Sequence, residues 1–347
     1  MTRKRLAQVD PIEHEIVLAL NPGAFIPDGA CFSFVGELDE VVARIARLKD
    51  TDPGRAASLY ESFLAGCHEK AEEVDDSSGS FGQFVGQLFC AWLEARQASG
   101  ADPDETATRL LDWMDNDPYG FCYRIEGDLA QAFDKAGLSA FVKLVRARFD
   151  SAHDKTPKAA NSYKDSPDCI RRRWGEVLRT LYAAQKDITA YVALAQDTGL
   201  TAQDCQTIAS LLVGRRRPAD ALDWVERGIN CDKQAPHGSM AGHDLAKLKR
   251  EILIKLGRGD EALDAAWAEY CERPDKFTYD DLMKLKPKRC FERAGLAGEW
   301  QKTVSQVHVE HHRKIGFMSG FERLVGGMGP SDEPSFLERA KARWTAH

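Results

Sequence analysis

The chain has 347 residues, 47 basic and 54 acidic side chains, a net charge of −7 and a mean hydropathy of −0.42. This balance is typical of a soluble folded protein and excludes a membrane-embedded, collagen-like or mostly disordered chain. At about 150 residues per domain, the length predicts two domains or one elongated array. No signal peptide or membrane-spanning run is predicted, and the nine widely spaced cysteines favour free thiols in a reducing cytoplasm.

The charge is unevenly distributed along the chain. Residues 1–150 carry a net charge of −11, whereas residues 151–347 carry +4. The segment 151–166 between them is polar and contains Pro157, which is typical of a linker. We therefore predict an acidic N-terminal helical module over 1–150, a linker over 151–166 and a C-terminal tetratricopeptide-like helical repeat module over 167–347.

Helical periodicity dominates the sequence. Apolar residues recur every three and four positions in 37–50, and a capping residue followed by proline predicts helix starts at 52–53, 102–103 and 166–167. The first of these helices is predicted over 53–74. Further helices are predicted near 81–98, 123–136, 138–150, 187–197, 201–213, 218–230, 241–256, 259–272, 278–285, 298–315 and 332–345. No alternating strand pattern occurs, so the sequence predicts an all-α fold.

The second half of the chain contains a weak internal repeat. Segments 214–229 and 257–270 both read as glycine, a polar turn, and then Ala-Leu-Asp on a second helix. Ala221 and Ala262 are the small residues that allow close helix approach, and the preceding glycines permit a left-handed exit from the first helix. The first copy also has the large, small and large residues that its first helix requires: Ile208, Ala209 and Leu212. We therefore predict stacked helical hairpins, a degenerate tetratricopeptide-like α-solenoid, although residues 231–243 interrupt the period.

Four stretches of the sequence carry a family resemblance. VDDSSGSFGQFVGQLFCAW at 74–92, DNDPYGF at 115–121, GRGDEALDAAW at 257–267 and HHRKIGFMSGFERLV at 311–325 resemble an uncharacterised bacterial helical-repeat family. That family, a domain of unknown function, is similar to the C-terminal helical region of SWIM zinc-finger proteins. The resemblance covers about 35–325, and it implies a curved helical array and no known reaction. The zinc finger is absent here, because the chain has no closely spaced Cys/His set.

One acidic turn, residues 75–80, offers paired carboxylates. Asp75 and Asp76 precede Ser-Ser-Gly and a helix. Ser78 or Ser80 is expected to cap that helix by accepting hydrogen bonds from its free amides. The alternative is that the two carboxylates bind a cation or a basic peptide.

A second acidic segment, 115–126, has the spacing of a calcium loop. Asp115, Asp117, Gly120 and Glu126 occupy positions 1, 3, 6 and 12 of an EF-hand pattern. Tyr119 stands where an oxygen ligand is needed, and no second loop is present to form a pair. We therefore favour an ordinary interhelical corner. A metal-dependent enzyme with ligands among these carboxylates and those of the first turn is kept as an alternative.

Basic clusters lie in the second half of the chain, at 171–173, 215–217 and 284–289. They could line one groove and bind nucleic acid, but the mild charge of this half argues against a dedicated nucleic-acid binder. No Walker A, GxSxG, kinase or deaminase signature occurs, and no cofactor is predicted. We predict a non-catalytic cytoplasmic scaffold that binds a protein or peptide on its concave surface. Its binding residues are predicted to be Arg172, Arg216, Lys247 and Arg250.

Overall fold

The computed structural model confirms the all-α prediction. It describes the residues 10–152, 167–234, 240–272 and 276–285. Within these ranges the chain forms fourteen α-helices and no strand, apart from one isolated parallel bridge between Ile26 and Val74. The helices are α1 (Pro11–Leu20), α2 (Asp28–Ala46), α3 (Pro53–Lys70), α4 (Ser80–Ala98), α5 (Pro103–Asp115), α6 (Glu126–Ala132), α7 (Lys135–Ser151), α8 (Pro167–Gln185), α9 (Ile188–Thr198), α10 (Ala202–Gly214), α11 (Pro218–Gln234), α12 (Met240–Lys255), α13 (Gly259–Glu272) and α14 (Lys276–Lys284).

The helix boundaries differ from the predictions mainly near the N-terminus. Helix α1 was not predicted, and α2 begins nine residues before the predicted start at residue 37, at Asp28. The predicted helices 298–315 and 332–345 lie outside the described residues. None of the helices in the described ranges combines the length and apolar character needed to cross a membrane.

The chain divides into two compact units, Met1–Leu200 (unit 1) and Thr201–His347 (unit 2). Helix α8 packs against α6 and α7 within unit 1, although the sequence assigned it to the second module. The predicted linker lies almost entirely outside the described residues. The predicted module boundary at 151–166 therefore stays a prediction. The packing of α8 groups this helix with the helices that precede it in the chain.

The core of unit 1 is rich in aromatic side chains. Trp92 on α4 is fully buried, and its ring meets that of Trp113 edge to face with centroids 4.7 Å apart. Phe63 on α3 meets Phe84 on α4 in the same manner at 5.6 Å. Such contacts add to the free energy gained from burying these large apolar surfaces.

A buried lysine holds the turn after α1 in unit 1. Lys70 lies at the end of α3, and its ammonium donates to the carbonyls of Asn21 and Ala24 and to the Glu73 carboxylate. Glu73 also accepts from the amide of Gly23, at 2.8 and 2.9 Å. The hydrogen bond from Lys70, and next that from Gly23, lowers the pKa of Glu73. The ammonium is therefore compensated by three acceptors, as a buried charge requires.

Unit 2 contains the hairpins of the predicted repeat. Helices α10 and α11 form one hairpin and α12 and α13 the next, and α11 packs against α12. Among the residues with the sizes predicted for the repeat, Leu212 is almost fully buried and the others are fully buried: Ile208, Ala209, Ala221 and Ala262. The prediction of stacked helical hairpins is therefore confirmed.

The same turn joins the helices of three hairpins. A left-handed residue follows the first helix of each: Lys186 after α8, Arg216 after α10 and Gly257 after α12. The amide of the next residue donates to a carbonyl five positions back, which is a Schellman motif. These bonds join Asp187 N to Tyr182 O, Arg217 N to Leu212 O and Arg258 N to Leu253 O, at 2.9, 3.0 and 2.9 Å. The prediction of a left-handed glycine is confirmed at Gly257, whereas in the first copy Arg216 takes that conformation and Gly214 does not.

Candidate partner-binding surface

Helix α12 exposes one continuous stripe of side chains, which we call the α12 face. Its five members follow one another at helical spacing, so they lie on one side of the helix: Met240, Asp244, Lys247, Glu251 and Ile254. Met240 is 80% exposed and Ile254 50% exposed, while the opposite side of α12 buries Leu245, Ile252 and Leu253. The α12 face therefore places large apolar side chains in water on a helix that is firmly packed from behind.

Lys247, a predicted binding residue, lies at the centre of the α12 face. It is exposed and has no ion-pair partner among the described residues. Two carboxylates flank it along the helix, and one of them, Asp244, accepts a hydrogen bond from Gln206 of α10 at 3.2 Å. The cation at Lys247 is thus available to a partner, and the surrounding charges have mixed sign.

Arg250, another predicted binding residue, lies in the interior of unit 2. Only 5% of its side chain is exposed, and its guanidinium donates to Glu269 of α13 and, at 2.7 Å, to Asp281 of α14. His243 Nδ1 lies 3.3 Å from the second oxygen of Glu269. We call Arg250, Glu269 and Asp281 the buried triad after its arginine, and the side chains of the two carboxylates are 11% and 19% exposed. Because its charge is taken up by internal carboxylates, Arg250 is not presented to a partner.

The pKa of Asp281 is set by its burial and by the cations around it. Burial raises the pKa of this carboxyl, but the hydrogen bond from Lys284 and the charge of Arg250 outweigh burial. The pKa of Asp281 therefore lies below its ordinary value. Arg250 thus links three consecutive helices of unit 2 through charge-assisted hydrogen bonds.

A shallow groove of about 370 Å³ lies between α11, α12 and α13. Its cations are paired within the groove: Lys249 with Glu226 at 3.1 Å, and Arg258 with Glu261 at 2.6 Å. The hydrogen bond from Arg258 lowers the pKa of Glu261. The cations of this groove are therefore already neutralised by its own carboxylates. On the α12 face, by contrast, Lys247 has no such ion pair among the described residues.

The remaining predicted binding residues are exposed but lie in different units. Arg216 occupies the turn between α10 and α11 in unit 2. Arg172 lies on α8 in unit 1, where its Nη2 is 3.6 Å from the sulfur of Cys169. Of the four predicted residues, unit 2 thus contains two with exposed side chains, Arg216 and Lys247.

The acidic turn before α4 is a helix cap. Asp76 accepts from the amides of Phe81 and Gly82 at 2.8 and 2.7 Å, and the Cys31 thiol donates to it at 3.6 Å. The Asp75 carboxylate accepts from the amide and the hydroxyl of the neighbouring Ser77, and its own amide donates to the Ile26 carbonyl. Capping was predicted for Ser78 or Ser80, but Asp76 supplies the main contacts.

This difference between adjacent carboxylates gives a testable prediction. Asp76→Ala should lower the free energy of unfolding by about 1–2 kcal/mol, because two amides at the start of α4 lose their acceptor. Asp75→Ala is the matched control and should change it by less than about 0.5 kcal/mol. Urea denaturation measures both variants, and equal losses would contradict the capping role of Asp76.

The calcium-like segment is an interhelical corner held by its own carboxylates. Asp117 accepts from the amides of Gly120 and Cys122 at 2.9 and 2.6 Å, and Asp115 pairs with Arg148 of α7. Glu126 is the first residue of α6. Within the described ranges, no three His, Cys, Asp or Glu residues are grouped so as to hold a metal ion. The predicted metal ligands therefore form no site there.

Sequence reasoning overlooked the apolar members of the α12 face. Met240 and Ile254 lie fourteen positions apart, which is close to four turns of an α-helix, so they share one side of α12. That spacing was visible in the sequence. However, the same pattern describes a buried stripe equally well, and only the packing of α12 shows which side faces water.

Comparisons with known proteins give a family and a distant structural likeness. No curated protein matches the chain. A solved structure titled "Assembly Chaperone of RpL4 (Acl4) (Residues 1-338)" is similar over 77% of this chain and 99% of that chain, with 14% identity and a TM-score of 0.36. The similarity to SWIM zinc-finger proteins stays a prediction. Residues 23–289 match the family described as "Family of unknown function (DUF6880)". The chain therefore belongs to DUF6880, a family whose function is not known.

Proposed function

We propose that this protein is a non-catalytic helical-repeat scaffold that binds a protein or peptide partner through the α12 face. The observation that carries the proposal is the exposure of Met240 and Ile254 at the two ends of a stripe with Lys247 at its centre. Exposed large apolar side chains on a rigid helix, interrupted by charge, are typical of interaction surfaces. Stacked helical repeats create extended surfaces that such proteins use for binding.

The charges of unit 2 indicate what the partner presents. Lys249, Arg250 and Arg258 are each paired with carboxylates of their own unit. Lys247 is the cation of the α12 face, so a partner carboxylate meets it there. Apolar side chains of the same partner segment would cover Met240 and Ile254. The flanking acidic residues then favour one orientation of the partner over the reverse.

We further propose that the scaffold works in a reducing cytoplasm. The seven cysteines whose side chains the structure describes are free thiols, and four of them are buried: Cys31, Cys67, Cys122 and Cys205. Burial raises the pKa of Cys67 and of Cys122, so these thiols stay protonated and unreactive. This pattern fits a compartment in which thiols need no pairing.

Charge reversal on the α12 face tests the proposed binding. Lys247→Glu should weaken partner binding about tenfold or more, because the partner carboxylate would then face another carboxylate. Ile254→Ser should weaken it similarly through lost apolar contact. The partner is first recovered by affinity purification from the native host with quantitative mass spectrometry. Its affinity for each variant is then measured by calorimetry.

The control for these variants is Lys143→Glu, which changes the same charge at an exposed position of α7 in unit 1. This variant should bind the partner as the unchanged protein does. All three variants should retain the thermal unfolding midpoint to within a few degrees, since exposed substitutions alter stability little. An affinity unchanged by both Lys247→Glu and Ile254→Ser would overturn the proposed surface.

A further inference from the structure

One side of helix α2 in unit 1 carries three small residues at intervals of seven positions. Gly29, Gly36 and Ala43 are separated by about two turns each, so they form a line along the helix, and all three are exposed. Phe32 lies beside this line, and its side chain is 83% exposed, more than any other large apolar side chain among the described residues. A carboxylate lies on each side of the line near its centre. We call the resulting surface the α2 face: Gly29, Phe32, Gly36, Asp39, Glu40 and Ala43.

The two glycines of the α2 face are not explained by packing within the described chain. A glycine inside a helix lowers stability relative to alanine, so it needs a reason. At Gly66 of α3 the reason is internal, because an added Cβ would lie 2.4 Å from the side chain of Leu20 on α1. A Cβ added to Gly29 or Gly36 would meet nothing within 4 Å beyond the backbone of its own helix, and neither residue has a positive φ. The missing side chains therefore leave room on the outside of the unit.

The charges of the α2 face are negative and unpaired. Asp39 and Glu40 are exposed, and neither forms an ion pair with another described residue. The cation within α2, Arg44, is already paired with Glu15 of α1 at 2.6 Å. Arg47 is exposed but follows the end of the helix, beyond the line of small residues. The middle of the α2 face therefore offers two carboxylates to a cationic partner.

We propose that the α2 face docks a basic helix of a partner protein, with Lys or Arg opposite Asp39 and Glu40 and an apolar side chain against Phe32. A repeat of seven residues is the spacing at which two helices pack along a common seam, and small side chains on the seam let the backbones approach closely. The net charge of −11 on residues 1–150 attracts a cationic segment to this part of the chain. The surface is independent of the α12 face, which lies in the other unit and is centred on a cation.

Photo-crosslinking from the α2 face tests the proposal. Phe32 is replaced by the photoreactive analogue p-benzoylphenylalanine in the full chain, which is expressed in the native host and illuminated. Mass spectrometry should identify a crosslinked peptide from another protein that carries a net positive charge and apolar residues at helical spacing. Adding Glu40→Lys should lower the crosslinking yield at least about fivefold, because like charges would then face each other.

A second variant separates docking from folding. Gly36→Leu places a large side chain on the line where the partner backbone would approach, so the crosslinking yield should fall as it does with Glu40→Lys. The new side chain has open space around its Cβ in the free protein, and leucine favours a helix more than glycine does. The thermal unfolding midpoint of Gly36→Leu should therefore rise while docking is lost, which a folding defect would not produce.

The matched control is Asp112→Lys, which makes the same change of charge at an exposed position of α5 in the same unit. It should leave the crosslinking yield unchanged. The proposal is overturned if residue 32 crosslinks only to residues 1–9 of its own chain or to a second copy, or if no crosslinked peptide forms. A yield that is unaffected by both Glu40→Lys and Gly36→Leu would overturn it as well.

Discussion

Replacing Arg250 with methionine should lower the free energy of unfolding of unit 2 by about 3–5 kcal/mol. The variant removes the guanidinium that joins Glu269 and Asp281, so the mostly buried Glu269 loses this cation and Asp281 keeps only Lys284. Methionine fills most of the space of the arginine stem, so the loss comes from uncompensated charge rather than from a cavity. Urea denaturation followed by tryptophan fluorescence measures the change.

A control and a rescue separate the buried charge from other effects of Arg250→Met. Lys247→Met, on the exposed side of the same helix, should change the unfolding free energy by less than about 0.5 kcal/mol. Replacing all three members of the buried triad with apolar residues, as R250M, E269L and D281L together, should restore much of the loss, because no buried charge then lacks a partner. Equal stability of the Arg250→Met and Lys247→Met variants would show that the triad contributes little.

The same triad makes unit 2 sensitive to acid. The pKa of Asp281 is lower in the folded state than its ordinary value of 3.8, so its ionised form stabilises the fold above that pH. This contribution is lost as the pH falls through the folded pKa. In Arg250→Met the pKa of Asp281 should rise, and the dependence of stability on pH below about 4 should become weaker. Denaturation curves collected across that range test the sign.

The second large effect is expected at Lys70 in unit 1. Lys70→Met should cost about 3–5 kcal/mol, because the Asn21 and Ala24 carbonyls and the Glu73 carboxylate all lose the ammonium that donates to them. The turn after α1 should loosen as well. In this variant the rate of amide hydrogen exchange should therefore increase more in α1 than in α4.

Lys49 provides the matched control for Lys70. It also pairs with a carboxylate, Glu94, but both side chains are largely exposed. Lys49→Met should therefore cost less than about 1 kcal/mol, as is usual for surface ion pairs. If Lys70→Met were no more costly than Lys49→Met, the three acceptors around the buried ammonium would have to be satisfied in another way.

Local signals predicted helix starts well, and one was overlooked. Asp52 and Asp102 precede prolines, and in the structure their side chains accept from the amides of Arg55 and Asp104. The same Asp-Pro pair stands at residues 10–11, where it begins α1. The start of α1 was thus predictable from the sequence, because capping depends only on residues next to each other.

Burial of charged residues was not predictable from local patterns. Arg250 looks like part of a basic helix face, and its internal partners come from α13 and α14, 19 and 31 positions later. Alignment of the two hairpins at their left-handed residues, however, does relate Arg250 to a buried position. Arg250 lies seven residues before the left-handed Gly257, and Ala209 lies seven residues before the left-handed Arg216. The position of a buried small residue in one hairpin is therefore the position of a buried arginine in the next.

The turn between α10 and α11 has a thermodynamic consequence for its own arginine. Arg216 has φ of +58°, a conformation that costs a residue with a side chain about 1 kcal/mol relative to glycine. Arg216→Gly should therefore raise the thermal unfolding midpoint. If the guanidinium also contacts the partner, the same change should weaken binding. Stability and affinity would then move in opposite directions at one residue, so a more stable variant of this protein would be a poorer scaffold.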